Sequence, residues 1–167
     1  MSITIGLERP DTTDVNQLIE ELEAYLAPQY PDESRHGYSI EKLIKQNVAF
    51  FVLRHDGEAA GCAGVQIFHD EGDTAYGEVK RMYVRPRFRG LGFAKLLLKQ
   101  LEETTMAHGV ELLRLETGIY QTEAIQLYKR YGFYPIVPFG KYREDPLSLF
   151  FEKHLSLIAA TENSSDG

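Results

Sequence analysis

Apolar residues recur along this chain with two different periods, and the switches between them outline its elements. Ile3–Leu7 alternates as a first strand. Val15, Leu18, Ile19, Leu22 and Leu26 then fall on one helical face, with Asp14 near the start, where an acid suits the helix dipole. Pro28 and Pro31 stop that helix, and the loop Gln29–Tyr38 leads to a short helix over Ser39–Gln46. Val48–Arg54 and Ala59–Phe68 read as a hairpin around Asp56-Gly57. Thr74–Val84 is the fourth strand, ended by Pro86. A long helix from about Gly92 to His108 stops at Gly109. Leu112–Glu116, a helix over Glu123–Tyr131, and strands near Phe133–Val137 and Leu147–Lys153 complete the pattern. With the short helix set aside, the order β–α–β–β–β–α–β–α–β–β predicts an α/β fold with a mixed sheet.

The segment from Val84 to Leu98 carries the strongest local signal. It reads as a strand end, a basic glycine turn and an amphipathic helix with Ala94, Leu97, Leu98 and Leu101 on one face. Gly90 and Gly92 remove the Cβ atoms that would hold a ligand away from the backbone. The turn falls at a helix N-terminus, where unpaired N–H groups and the dipole favour a phosphate.

Charge changes the picture in the same direction. The 167-residue chain carries −7 overall, yet residues 80–99 hold Lys80, Arg81, Arg85, Arg87, Arg89, Lys95 and Lys99 without one Asp or Glu. Such a cluster on an acidic protein points to a small polyanion. Nucleic acid is not expected, because no second basic stretch extends the patch. The string is neither a Walker A loop nor a dinucleotide fingerprint, since Lys95 stands where a third glycine would fall.

Composition bounds the rest. The length suits one domain, expected over residues 1–157, with a polar tail over 158–167 expected to be disordered. No apolar run approaches 18 residues, so no membrane span is expected. Met1–Ile5 lacks the features of a secretory signal, and the single cysteine, Cys62, excludes an internal disulfide. Both point to the cytoplasm. The five histidines show no metal-ligand spacing, and no metal is expected.

Arg87-x-x-Gly90-x-Gly92 between a strand and a leucine-rich helix resembles the acetyl-coenzyme-A signature of the GNAT superfamily of N-acetyltransferases. The segment Glu123–Phe133, with Tyr128 five residues before Phe133, resembles the family's later helix. The resemblance is specific over residues 74–137 and fold-level over 3–70 and 138–155. It implies a single-domain GNAT-like fold, a mixed and largely antiparallel central sheet flanked by helices. It also implies acetyl-coenzyme A as cosubstrate.

By that resemblance, the pyrophosphate should meet backbone N–H groups of Arg87, Arg89, Gly90, Gly92, Phe93 and Ala94, with Leu91 in the same turn. Met82, Tyr83 and Val84 should pair with the pantetheine arm as an added strand would. Gln121 stands where relatives usually have Asn. Tyr128 takes the family's position for the acid that protonates the leaving thiolate. Glu78 on the fourth strand is the candidate base, its alternative being a strand carboxylate paired to Lys80 or an arginine; Glu116 is a second candidate. A base is needed because a lysine-like amine is only about one part in a thousand neutral near pH 7.4. Cys62, among Ala60, Gly61, Ala63 and Gly64, reads as strand packing rather than an acyl carrier.

The acceptor should be read by the loops Gln29–Tyr38 and Pro138–Pro146, with Tyr30, Arg35, His36 and Tyr142 as candidate contacts. The leading expectation is an N-acetyltransferase for a small-molecule primary amine, attacking the thioester directly. A protein lysine or N-terminal acetyltransferase, and a catalytically silent acetyl-coenzyme-A-binding module, stay open. So does assembly as a homodimer.

Overall fold

Capping and turn chemistry set most of the element boundaries. The computed structural model describes residues 2–69 and 74–156; the tail expected over 158–167 lies outside the described residues. Strand β1 (Ile3–Leu7) leads to α1 (Thr13–Leu26). Thr12 caps α1 by accepting the Val15 N–H at 3.3 Å, and the helix buries Val15, Leu18, Ile19 and Leu22 as their spacing predicts. Ser39 caps α2 (Ile40–Lys45) in the same way. Strands β2 (Ala49–His55) and β3 (Glu58–Phe68) are joined by Asp56 and Gly57, at φ 49° and 84°. Positive φ at both positions matches the turn to the twist of the strands.

The second half comprises β4 (Tyr76–Val84), α3 (Phe93–Ala107), β5 (Leu112–Gly118), α4 (Thr122–Arg130), β6 (Tyr134–Ile136) and β7 (Ser148–His154). Among the described residues, seven strands form one sheet in the order β1-β2-β3-β4-β5-β7-β6. Every neighbouring pair is antiparallel except β4 and β5. The mixed, largely antiparallel sheet is the expected one. Its strand order was not readable from the pattern, because β7 returns to lie between β5 and β6.

Helices α3 and α4 cover one face. Leu97, Leu98, Leu101 and Tyr128 pack there against Leu113, Leu115 and Phe151. Helices α1 and α2 cover the other, with Leu18, Leu22 and Leu43 over Phe50, Val52, Cys62 and Tyr83. Each fully buried leucine contributes about 1.5–3 kcal/mol. No helix among the described residues is long and apolar enough to cross a membrane.

Two features of β4 position the site. Its parallel pairing with β5 holds only at Gly77–Leu113 and Glu78–Arg114, after which the two strands part. Opposite β3, β4 also carries one extra residue between Lys80 and Tyr83, with Arg81 at φ 53°. This bulge resets the alternation of side chains. Met82 and Val84 therefore join Val79 on the α3 face, while Tyr83 turns to the α1 face.

Candidate active site

The parted strands open two connected clefts. The larger, of about 520 Å³, lies between the end of β4, the start of α3 and one side of α4. Gly90 and Gly92 both sit at φ +81°, and a Cβ on either would meet no protein atom within 4 Å. The cradle is thus open on the side a ligand would approach. The N–H groups of Gly90, Leu91, Gly92, Phe93, Ala94 and Lys95 have no backbone partner among the described residues. Such a row at a helix start is an anion site.

Most of the expected cofactor residues line this cleft: Met82, Tyr83, Val84, Arg89, Gly90, Gly92, Phe93, Ala94, Gln121 and Tyr128. Arg87 and Leu91 do not. Arg87 is 61% exposed and pairs with Glu58, and the Leu91 side chain faces solvent. The Arg89 N–H is also spent elsewhere, donating to the Pro86 carbonyl at 3.2 Å.

The seven-charge cluster disperses as well. Lys80 pairs with Glu78, Arg81 with Glu23, and Arg85 with Glu21. Strand alternation sends neighbouring residues to opposite faces, so closeness in sequence did not become closeness in space. The positive charge that lines the cleft comes from Arg89, Lys95 and Arg130.

The smaller cleft, of about 160 Å³, lies in the fork itself. It brings together Tyr30, Arg35 and His36 from the first loop, Val79 and Arg81 from β4, and Leu115 and Glu116 from β5. The Tyr30 hydroxyl accepts the Tyr120 N–H at 2.9 Å and Gln121 Nε2 at 3.0 Å. It lies so close over Gly118 that a Cβ there would sit 2.1 Å from it. Leu22, Met82, Gln121, Ala124 and Tyr128 belong to both clefts.

Two ionisable groups, Glu116 and Tyr128, line the smaller cleft. Burial pushes the Glu116 carboxyl up to about 7, helped by the Glu78 and Asp145 charges. The Ser148 hydroxyl, donating to Glu116 Oε2 at 2.8 Å, and Lys80 oppose that rise. Tyr128 is 5% exposed, and burial, then the Glu116 charge, push its phenol above the usual range. Its hydroxyl makes no hydrogen bond among the described residues, which leaves a protonated donor at the junction.

Glu78 and Tyr142 are placed elsewhere. Neither lines either cleft. Glu78 is 3% exposed and its Oε2 accepts Lys80 Nζ at 2.7 Å and the Tyr142 hydroxyl at 2.6 Å. Lys80 Nζ also lies 4.0 Å above the Tyr38 ring, and burial lowers its pKa. The paired-carboxylate alternative describes Glu78, with Glu116 the carboxylate that reaches the cleft. Cys62 is fully buried, its thiol pushed up to about 12 by burial.

The profile of the acetyltransferase (GNAT) family matches residues 15–133, which span both clefts. The chain belongs to this family. It is 45% identical to an IAA acetyltransferase of Azospirillum brasilense over 92% of this chain and 99% of the relative. The solved structure of an acyl-CoA N-acyltransferase from Klebsiella pneumoniae is 34% identical, with TM-score 0.74, covering 92% of this chain and 98% of that one. An N-acetyltransferase of Thermoplasma acidophilum, crystallised with coenzyme A, shares the fold at 23% identity and TM-score 0.69, covering 92% of this chain and 99% of that one. As a GNAT acetyltransferase the protein is an acyltransferase, with acetyl-coenzyme A as its cosubstrate.

Two cleft-lining arginines were not among the residues expected at the site. Arg130 was legible: Leu127, Arg130 and Tyr131 share a helical face, and all three line the larger cleft. Arg81 was not. It stood in the sequence only as one charge of the basic cluster, and the fold sets it at the bulge of β4, against the smaller cleft.

Proposed function

We propose that the protein moves the acetyl group of acetyl-coenzyme A to the primary amine of a small molecule by direct attack on the thioester. The observation that carries this reading is the shared wall. Tyr128 stands between a cleft with an anion-binding rim and a small cavity holding a carboxyl near neutrality. The open N–H groups of Gly90–Lys95, with Lys95 and Arg130, would hold the pyrophosphate. No strand among the described residues pairs with the β5-facing edge of Val79–Val84, so Met82–Val84 can take the pantetheine amides there.

When bound, the cosubstrate supplies an activated acetyl carbon and a thiolate leaving group. Glu116 takes one proton from the acceptor's ammonium and returns it to water. Tyr128 gives its proton to the departing sulfur and regains one from the newly acylated nitrogen, so the protons balance. An acyl-enzyme on Cys62 is disfavoured, because that thiol is sealed and protonated. A cytoplasmic setting fits the lone reduced cysteine.

The test is thiol release from acetyl-coenzyme A against a panel of amines, followed across pH. Turnover should rise along one limb near pH 7, as Glu116 loses its proton. Glu116→Gln should abolish that limb and move activity to higher pH, where the amine is neutral unaided. Glu78→Gln should keep the limb. Loss of the limb in Glu78→Gln alone would return the base to Glu78. Acetyl appearing on protein lysines or N-termini instead of small solutes would overturn the small-amine reading.

A further inference from the structure

Arg81 lines the smaller cleft in a way that ion pairing alone does not explain. Its side chain is 5% exposed and stacks on Gly37, where a Cβ would lie 2.3 Å from Nη1. Nε donates to the Tyr38 carbonyl at 2.8 Å, and Nη2 pairs with Glu23. Nη1 makes no hydrogen bond among the described residues. It is not sealed either, for the sealed and partnerless side-chain nitrogen among those residues is Arg35 Nε. Nη1 is thus a donor without a partner among the described residues, on a side chain that lines the cavity.

Among the side chains that line this end of the cavity, Arg35 and Arg81 stand beside a single acid, Glu23, with Asp145 behind Ser34. Glu23 gives Oε1 to Arg81 and Oε2 to Arg35, so two guanidinium groups share one carboxylate. Asp32, the other partner of Arg35, is 91% exposed and well screened by water. His36 completes this end. At the other end stand Glu116 and Tyr128. The cavity thus has a donor-rich cationic pole and a proton-accepting pole, within a volume like that of a void that takes one benzene ring.

We infer that the acceptor carries a carboxylate as well as its amine, a small amino-acid-like molecule held by Arg81 with Arg35 while its nitrogen faces Glu116. This rests on the small-amine reading above. A planar guanidinium matches a carboxylate in shape and charge, which a wall built only to close a loop would not need.

Matched acceptors test it: free amino acids, their carboxamides, and the amines that remain when the carboxylate is removed, each assayed by thiol release. The carboxylate arm should lead by about tenfold or more in kcat/KM, mostly through KM. Arg81→Gln should collapse that lead, and Arg81→Lys, which keeps charge without the fork, should restore part of it. Should Arg81→Gln fail to fold, Arg35→Gln reads the same pole from its other member. Equal turnover in all arms, or a preference for acceptors lacking the carboxylate, overturns the inference and leaves small-amine acetylation standing. Coenzyme binding without turnover of any amine overturns both.

Discussion

The two clefts are built on opposite plans. The larger is mostly backbone: a contiguous run from Gly90 to Lys95 offers N–H groups, and two glycines at positive φ clear the approach. The smaller is mostly side chain, drawn from α1, the first loop, the bulge of β4 and the end of β5. A backbone site recognises a group every cosubstrate molecule shares, and its geometry follows from local turn chemistry. A side-chain site recognises what differs between acceptors, and its geometry depends on packing between distant segments. The two clefts are thereby separated by a wall of five shared residues: Leu22, Met82, Gln121, Ala124 and Tyr128.

Damage should respect that separation. The largest effect is expected at Gly90→Val, which puts a branched side chain at φ +81° over the open N–H groups. Coenzyme affinity should fall at least about 100-fold with the fold retained, as calorimetry and circular dichroism would show; unaltered binding by the folded variant would remove the turn from the site. Tyr128→Phe strikes the wall itself. Packing survives but the donor goes, so turnover should drop about 10²–10³-fold with coenzyme affinity nearly unchanged. Turnover within a factor of two of wild type would make Tyr128 a packing residue.

Gly118→Ala is aimed at the smaller cleft, which Gly118 and Tyr30 line. Its Cβ must displace the Tyr30 hydroxyl and break the bonds to Tyr120 and Gln121. Acceptor KM should rise about tenfold, whereas coenzyme affinity should stay; a fall in coenzyme affinity of the same size would show the clefts to be one unit. The smallest effect is that of salt. Coenzyme affinity should weaken a few-fold from low to high ionic strength, because Lys95 and Arg130 face solvent-filled space. Salt-independent binding would assign recognition to the backbone without help from these side chains.

The same contrast explains what could be read in advance. Helical and strand periods, the Thr12 and Ser39 caps and the Asp56-Gly57 turn are local, so the elements were legible to within a residue or two. Gly90 and Gly92 were legible for the same reason. The pairing of Glu78 was open between base and strand carboxylate, and its two partners, Lys80 two residues on and Tyr142 in a distant loop, meet only in the folded sheet. Glu116 lines the smaller cleft for a reason no spacing records: β4 and β5 part just where Glu116 begins to face the gap. The charge cluster failed as a unit because a bulge and an alternating strand pair Lys80, Arg81 and Arg85 with three different acids.

The short ladder between β4 and β5 also makes the sheet a lever. Its fulcrum is the pair of contacts at Gly77–Leu113 and Glu78–Arg114. From there β4 runs six residues to Val84, an arm of about 20 Å. A rotation of about 3° at the fulcrum displaces the tip by about 1 Å, enough to cost an enzyme roughly 100-fold in rate. Stiffness at the fulcrum is therefore a catalytic quantity. Thr105 of α3 supplies some of it, pressing so closely on Gly77 that a Cβ would lie 2.8 Å from its hydroxyl. A methyl group added there, far from either cleft, would act on both through the arm.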